Sequence, residues 1–142
     1  MKKRYWIGGL SALMASAVAA KLWLRPRDVE WDQNREIVFH ADYSRFVEID
    51  GVRVHYQEAG DSDAPPMILI HGFASSNLVW SKVLLELAEA GFRVIAPDLL
   101  GYGYSGKPRH LDYTIASQAG MVSSLMKQLG MEEAVVVGSS YG

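Results

Sequence analysis

The chain has 142 residues, of which 21% are charged and 49% apolar, with a formal net charge of -2. That length allows one small domain, and the near-neutral charge excludes a nucleic-acid surface built on basic excess. With no cysteine, disulfides and thiolate metal sites are excluded.

The first stretch is unlike the rest. "MKKR" precedes "YWIGGLSALMASAVAAKLWL", which is apolar or small from Tyr5 to Leu24 except for Lys21. Three readings compete. A cleaved signal peptide has a basic start, an apolar middle and a small-residue site, which Ala17-Val18-Ala19 or Val18-Ala19-Ala20 supplies. A membrane anchor needs about 20 apolar residues, a condition met if Lys21 snorkels to the interface. Trp6 and Trp23 then stand where aromatic belts form. An amphipathic helix packed on the domain fits least, because the run is apolar on every side. Residues 1–24 are therefore read as an anchor, with a signal peptide as the alternative, and residues 5–24 as the membrane contact. Lys2, Lys3 and Arg4 form the denser basic cluster, which places the domain on the extracytoplasmic side. Cleavage would instead leave it secreted or periplasmic.

Residues 25–44 are charged, lack a clear period and read as a linker. From Arg45 two short alternating runs flank Asp50-Gly51, the strong hairpin signal. "DSDAPP" breaks the chain at residues 61–66. "MILIHG" is a continuous apolar run of the kind buried on both faces of a sheet. Trp80, Val83, Leu84 and Leu87 recur at helical spacing, closed by Gly91. "FRVIAPD" predicts another buried strand, and "LLGYGYSGKPRHLD" a Gly- and Pro-rich loop. Ile115, Ala119, Val122, Met126 and Leu129 predict a second amphipathic helix, closed by Gly130. "AVVVGS" is a third apolar run. Strand, helix, strand, helix, strand predicts a mostly parallel α/β sheet flanked by helices over residues 45–142.

That third run enters "GSSYG", Gly138 to Gly142. Gly-x-Ser-x-Gly at the end of a strand places a serine on a sharp, strained turn with its Oγ raised above the sheet. Ser140 is the candidate nucleophile. Gly138 and Gly142 remove side chains that would collide at the turn, and the Tyr141 N–H is placed to donate to an oxyanion. The bland alternative is a plain Gly/Ser turn. What favours the nucleophile is the strand before it, since ligands bind open α/β sheets at the carboxyl edge. A second oxyanion donor must come from another strand's carboxyl end, and the loop after "MILIHG" offers the N–H of Phe73. His71 and Gly72 in that loop, and Asp98 at the end of the next strand, read as loop-bracing groups. An acid role for Asp98 is the lesser alternative. Phe73, Trp80 and Tyr141 suggest an apolar acyl pocket.

"HGF", then "PDLLGYGYSGKP", then "GSSYG" at this spacing resemble the α/β-hydrolase fold family, over about residues 45–142. Within it the chain is similar to the esterase, lipase and carbon–carbon bond hydrolase branch. Haloalkane dehalogenases and epoxide hydrolases share the "HGF" and "DLLGYGYS" style but carry aspartate where this chain has Ser140. The resemblance implies a serine acyl-enzyme route on a small-molecule ester or related acyl substrate, which the aromatic residues named above suggest is apolar. It assigns Ser140 as nucleophile, the N–H groups of Phe73 and Tyr141 as the oxyanion hole, and Asp98, Gly101, Gly103 and Ser105 as a structural loop. No metal and no organic cofactor is implied. The family order is nucleophile, acid, histidine. The four histidines, His40, His55, His71 and His110, all precede Ser140. His40 and His55 read as ordinary, and His110 as a pocket-lining candidate. The chain is therefore expected to be the N-terminal half of the fold, cut at the nucleophile elbow and inactive alone. Two alternatives stay open: a carbon–carbon bond hydrolase acting on vinylogous diketones, and a catalytically inactive, anchored binding module.

Overall fold

The computed structural model describes residues 28–109 and 111–142, together with Met14, Ser16, Ala19 and Ala20, which are helical. Apart from those four, the segment on which the anchor and signal readings rest lies outside the described residues, as does His110. Among the described residues no helix is long and apolar enough to cross a membrane.

Five strands form one mixed sheet: β1 (Ser44–Ile49), β2 (Val52–Ala59), β3 (Pro66–Ile70), β4 (Arg93–Pro97) and β5 (Val135–Gly138). Their spatial order is β1-β2-β4-β3-β5. Asp50 and Gly51 both take positive φ, 50° and 75°, the requirement of a two-residue turn that matches strand twist. The hairpin register follows, with Ile49 opposite Val52. β2 runs antiparallel to β4, while β3 pairs parallel with both β4 and β5. The sheet is thus antiparallel on its hairpin side and parallel on the side that carries the elbow.

Alternation along the inner strands divides the core into two layers. Ile68 and Ile95 face one way, with Val54, Leu99, Met121, Val122 and Leu125. Met67, Leu69, Val94 and Ala96 face the other, with Leu84. Each layer is covered by one helix, Ile115–Gln128 on the first and Leu84–Glu89 on the second. Burial on both faces is why β3 and β4 read as unbroken apolar runs. Glycine closes both helices in the left-handed region, at Gly91 (φ 95°) and Gly130 (φ 71°).

Two expectations need correcting. The buried face of helix 115–128 is Gln118, Met121, Val122 and Leu125, while Ile115 is 68% exposed. Gln118 turns inward because its amide pairs with Leu100 on both sides: Leu100 N–H donates to Oε1 at 3.0 Å and Nε2 donates to Leu100 O at 2.9 Å. A pattern of apolar residues alone skips such a position. Trp80 ends a 3-10 turn, Asn77–Trp80, and packs with the second layer rather than in a pocket beside Tyr141, which packs on the first.

Residues 28–43, read from sequence as linker, form short helical turns against the hairpin. Trp31 packs on Phe46, His55 and Tyr104 at centroid distances of 5.2–5.4 Å. His40 Nε2 bonds Ser81 O at 2.8 Å, and Gln57 Nε2 donates to Phe39 O at 2.6 Å. The segment shows no period because single side chains anchor it.

Candidate active site

β5 delivers the chain to the elbow. Ser139 N–H donates to Ile70 O at 3.0 Å, extending the β3–β5 pairing one residue past the strand, and Gly142 N–H closes the turn on Ser139 O at 3.0 Å. Between them Ser140 takes φ 57° and is exposed. A non-glycine residue held there stores on the order of 1–3 kcal/mol of strain. Both flanking glycines are required for space. A Cβ on Gly138 would overlap the Gly142 carbonyl group, and one on Gly142 would overlap the Ile70 carbonyl group. Because the obstacles are backbone, neither can swing aside. Gly142→Ala should therefore lower stability by about 1–3 kcal/mol, read as a drop in the urea midpoint.

The loop after β3 crosses the elbow. A Cβ on Gly72 would stand 3.0 Å from Ser140 Cβ and 3.5 Å from its Oγ, so only glycine lets the loop come this close. Among the described residues no hydrogen bond engages the N–H of Phe73 or of Tyr141. Above them stands an aromatic rim. Phe73, 72% exposed, faces Tyr102 and Tyr141 edgewise at 6.2 and 6.5 Å. Next to Tyr102 lies a cavity of about 290 Å³, lined also by Leu100, Lys107, Pro108, Arg109 and Tyr113.

His71 is fully buried. Its Nε2 accepts from Leu99 N–H at 3.0 Å, so Nδ1 carries the proton and donates to Gly72 O at 2.8 Å. With both nitrogens committed to backbone, this imidazole cannot take a proton from Ser140.

Asp98 is also fully buried and carries three donors. Oδ1 accepts from Asn77 N–H at 2.7 Å; Oδ2 accepts from Tyr104 N–H at 2.9 Å and from His55 Nδ1 at 2.7 Å. Burial pushes its pKa up, but the hydrogen bond and charge of His55, with the two backbone N–H groups, hold the carboxyl below its ordinary value. Gly103 (φ 47°) lies against it so closely that a Cβ would overlap the carboxylate. Ser105 Oγ donates to Asp98 O at 2.7 Å and accepts from His55 N–H at 2.9 Å.

Sequence reasoning passed over His55. It alternates with Val54 and Tyr56, on the strand face that usually meets solvent. Trp31, Phe46 and Tyr104 surround its ring at 4.9–5.5 Å and leave it with no exposure. The available signal was a cluster of aromatics around one histidine, spread over 74 positions from Trp31 to Tyr104. Of the four histidines, His40, His55 and His71 are thus hydrogen-bonded to groups other than the serine, and His110 lies outside the described residues.

A family model described as alpha/beta hydrolase fold matches residues 65–142. Epoxide hydrolase A of Mycobacterium tuberculosis is 39% identical over 72% of the chain and 32% of its own length. A haloalkane dehalogenase of Mycobacterium marinum is 36% identical over 64% of the chain and 31% of its own length. Among solved structures, the thioesterase domain from the curacin biosynthetic pathway superposes with a TM-score of 0.64 at 30% identity, over 70% of the chain and 37% of that domain. The chain spans about a third of the length of the curated relatives it matches.

Proposed function

Because the chain belongs to the α/β-hydrolase fold family, whose members matched here include hydrolases of several kinds, we propose that it carries the nucleophile of a serine hydrolase acting on carboxylic esters or related acyl bonds. One observation carries the reading: Ser140, exposed at φ 57° just past the end of β5, with the Gly72 backbone close against it and the N–H groups of Phe73 and Tyr141 bonded to no described residue. Ser140 Oγ attacks the carbonyl carbon, the carbonyl oxygen becomes an oxyanion between the two N–H groups, and the alkoxide leaves. Water then cleaves the acyl-serine ester by the same route. The imidazole that takes the serine proton would come from outside the described residues.

The identity of the nucleophile selects the substrate class. Serine attack on an epoxide or alkyl halide carbon would leave an ether on the protein. An ether has no carbonyl for water to attack, so the enzyme would stop after one event. A carboxylate nucleophile leaves an ester and turns over. The names of the relatives therefore do not transfer to this chain's substrate, and the acyl reading is favoured. The apolar cavity beside Tyr102 supports an apolar acyl group. The test is a panel: the full-length protein should turn over p-nitrophenyl butyrate and leave styrene oxide and 1-chlorobutane unchanged. Multiple turnovers of the epoxide with no ester hydrolysis would reverse the assignment.

The apolar run of residues 5–24 supports a membrane tether. Full-length protein should stay with membranes through high-salt and carbonate washes. A mature N-terminus at Ala20 or Lys21, read by mass spectrometry, would establish signal cleavage instead.

A further inference from the structure

On the reading that Ser140 is the nucleophile, we propose that His55 and Asp98 are positioning residues for the oxyanion donor at Phe73, acting through the loop 71–77.

Asp98 pins that loop at its far end, and the backbone of the following residue, Leu99, pins it at its near end. At the far end, Asp98 Oδ1 accepts from Asn77 N–H at 2.7 Å, and Asn77 Nδ2 donates to Ala96 O at 3.3 Å. At the near end the link runs through the next residue. Leu99 N–H donates to His71 Nε2, which forces the proton onto Nδ1 and the Nδ1–H onto Gly72 O. The Gly72 C=O and the Phe73 N–H belong to one planar trans peptide, and point in opposite directions. Holding the oxygen towards His71 therefore sets where the N–H points. Gly72 itself rests against Ser140, so the orientation is fixed next to the reacting atom.

His55 sets the position of Asp98. It reaches from β2, the strand beside β4, and among the described residues its Nδ1–H is the one side-chain donor on a carboxylate otherwise held by backbone. Trp31, Phe46 and Tyr104 enclose the ring, and among the described residues His55 Nε2 has no hydrogen-bond partner. A buried histidine–carboxylate pair with an unsatisfied nitrogen is a poor way to gain stability, since an apolar residue of similar size would fill the same box. Its directional bond to Asp98 is what an apolar residue could not supply.

Two substitutions separate direction from packing. His55→Phe fills the aromatic box and removes the donor. His55→Asn loses packing but places an amide N–H where Nδ1 stood. In the full-length protein, sites are first titrated with a fluorophosphonate, and kcat is expressed per titrated Ser140. His55→Phe should lose about 10- to 100-fold in kcat, below the 10²–10³ of complete donor loss, with KM within about twofold because an oxyanion donor acts on the transition state. His55→Asn should keep kcat within about threefold although its melting temperature falls further than that of His55→Phe. In a Phe73→Pro background, where the N–H is gone, His55→Phe should produce no further fall in kcat. A role in packing alone predicts the reverse order of the two variants and additive losses, and either result would overturn the proposal. If the wild type is not labelled at Ser140, the nucleophile reading fails and this inference with it. If labelling is normal and His55→Phe keeps full kcat, only the positioning role fails.

Discussion

Ser140→Ala in the full-length protein should reduce ester turnover about a million-fold, the scale seen when a triad nucleophile is removed. The fold should be unchanged, since Ser140 is exposed and the turn is closed by backbone bonds on either side of it. Ser140→Gly adds a second signature. Glycine occupies φ 57° without the strain a serine bears there, so this variant should be as inactive as alanine yet more stable than wild type by about 1 kcal/mol. Chemical denaturation of the three proteins side by side reads both effects. A serine kept in an ordinary turn would not show the million-fold loss, whereas the gain in stability reads only the strained φ of 57°.

Phe73→Pro carries the next largest effect. Proline deletes the backbone N–H that no described residue engages, and with it the ring that faces Tyr102 and Tyr141. Loss of one oxyanion donor costs about 10²–10³ in kcat, while loss of the ring from the rim raises KM. The variant should still be labelled by a fluorophosphonate, more slowly, because the same oxyanion pocket assists that reaction. Unchanged kcat would remove Phe73 from the oxyanion hole and leave Tyr141 with a different partner.

Much of this architecture was legible because it is written locally. Asp50-Gly51 states its turn in two residues. The runs "MILI" and "RVIAP" state burial on both faces, whereas "VVVG" states a strand but not its burial, since Val135 and Val136 on the last strand of the sheet are exposed; Gly138-x-Ser140-x-Gly142 states a turn that tolerates only glycine at its flanks. What sequence did not show depends on pairs far apart in the chain. His55 and Asp98 are 43 positions apart, and neither identity signals the other. Gln118 is polar and faces inward because it pairs with the Leu100 backbone, so periodicity placed the helix but not its buried face. Trp80 packs in the same layer as Val83, Leu84 and Leu87, as its helical spacing suggests, but at the end of a 3-10 turn rather than in the helix. The segment 28–43 has no pattern because its anchors, Trp31 and His40, act singly.

The central claim is a covalent acyl-serine at Ser140, and trapping that species tests it most directly. Full-length protein mixed with excess p-nitrophenyl butyrate, quenched in acid within milliseconds and digested, should yield the Ser140 peptide carrying one butyryl group. That adduct should be absent from Ser140→Ala and should disappear as the ester is consumed. A butyryl group on another residue, or steady turnover with no acylated peptide at any quench time, would contradict the account.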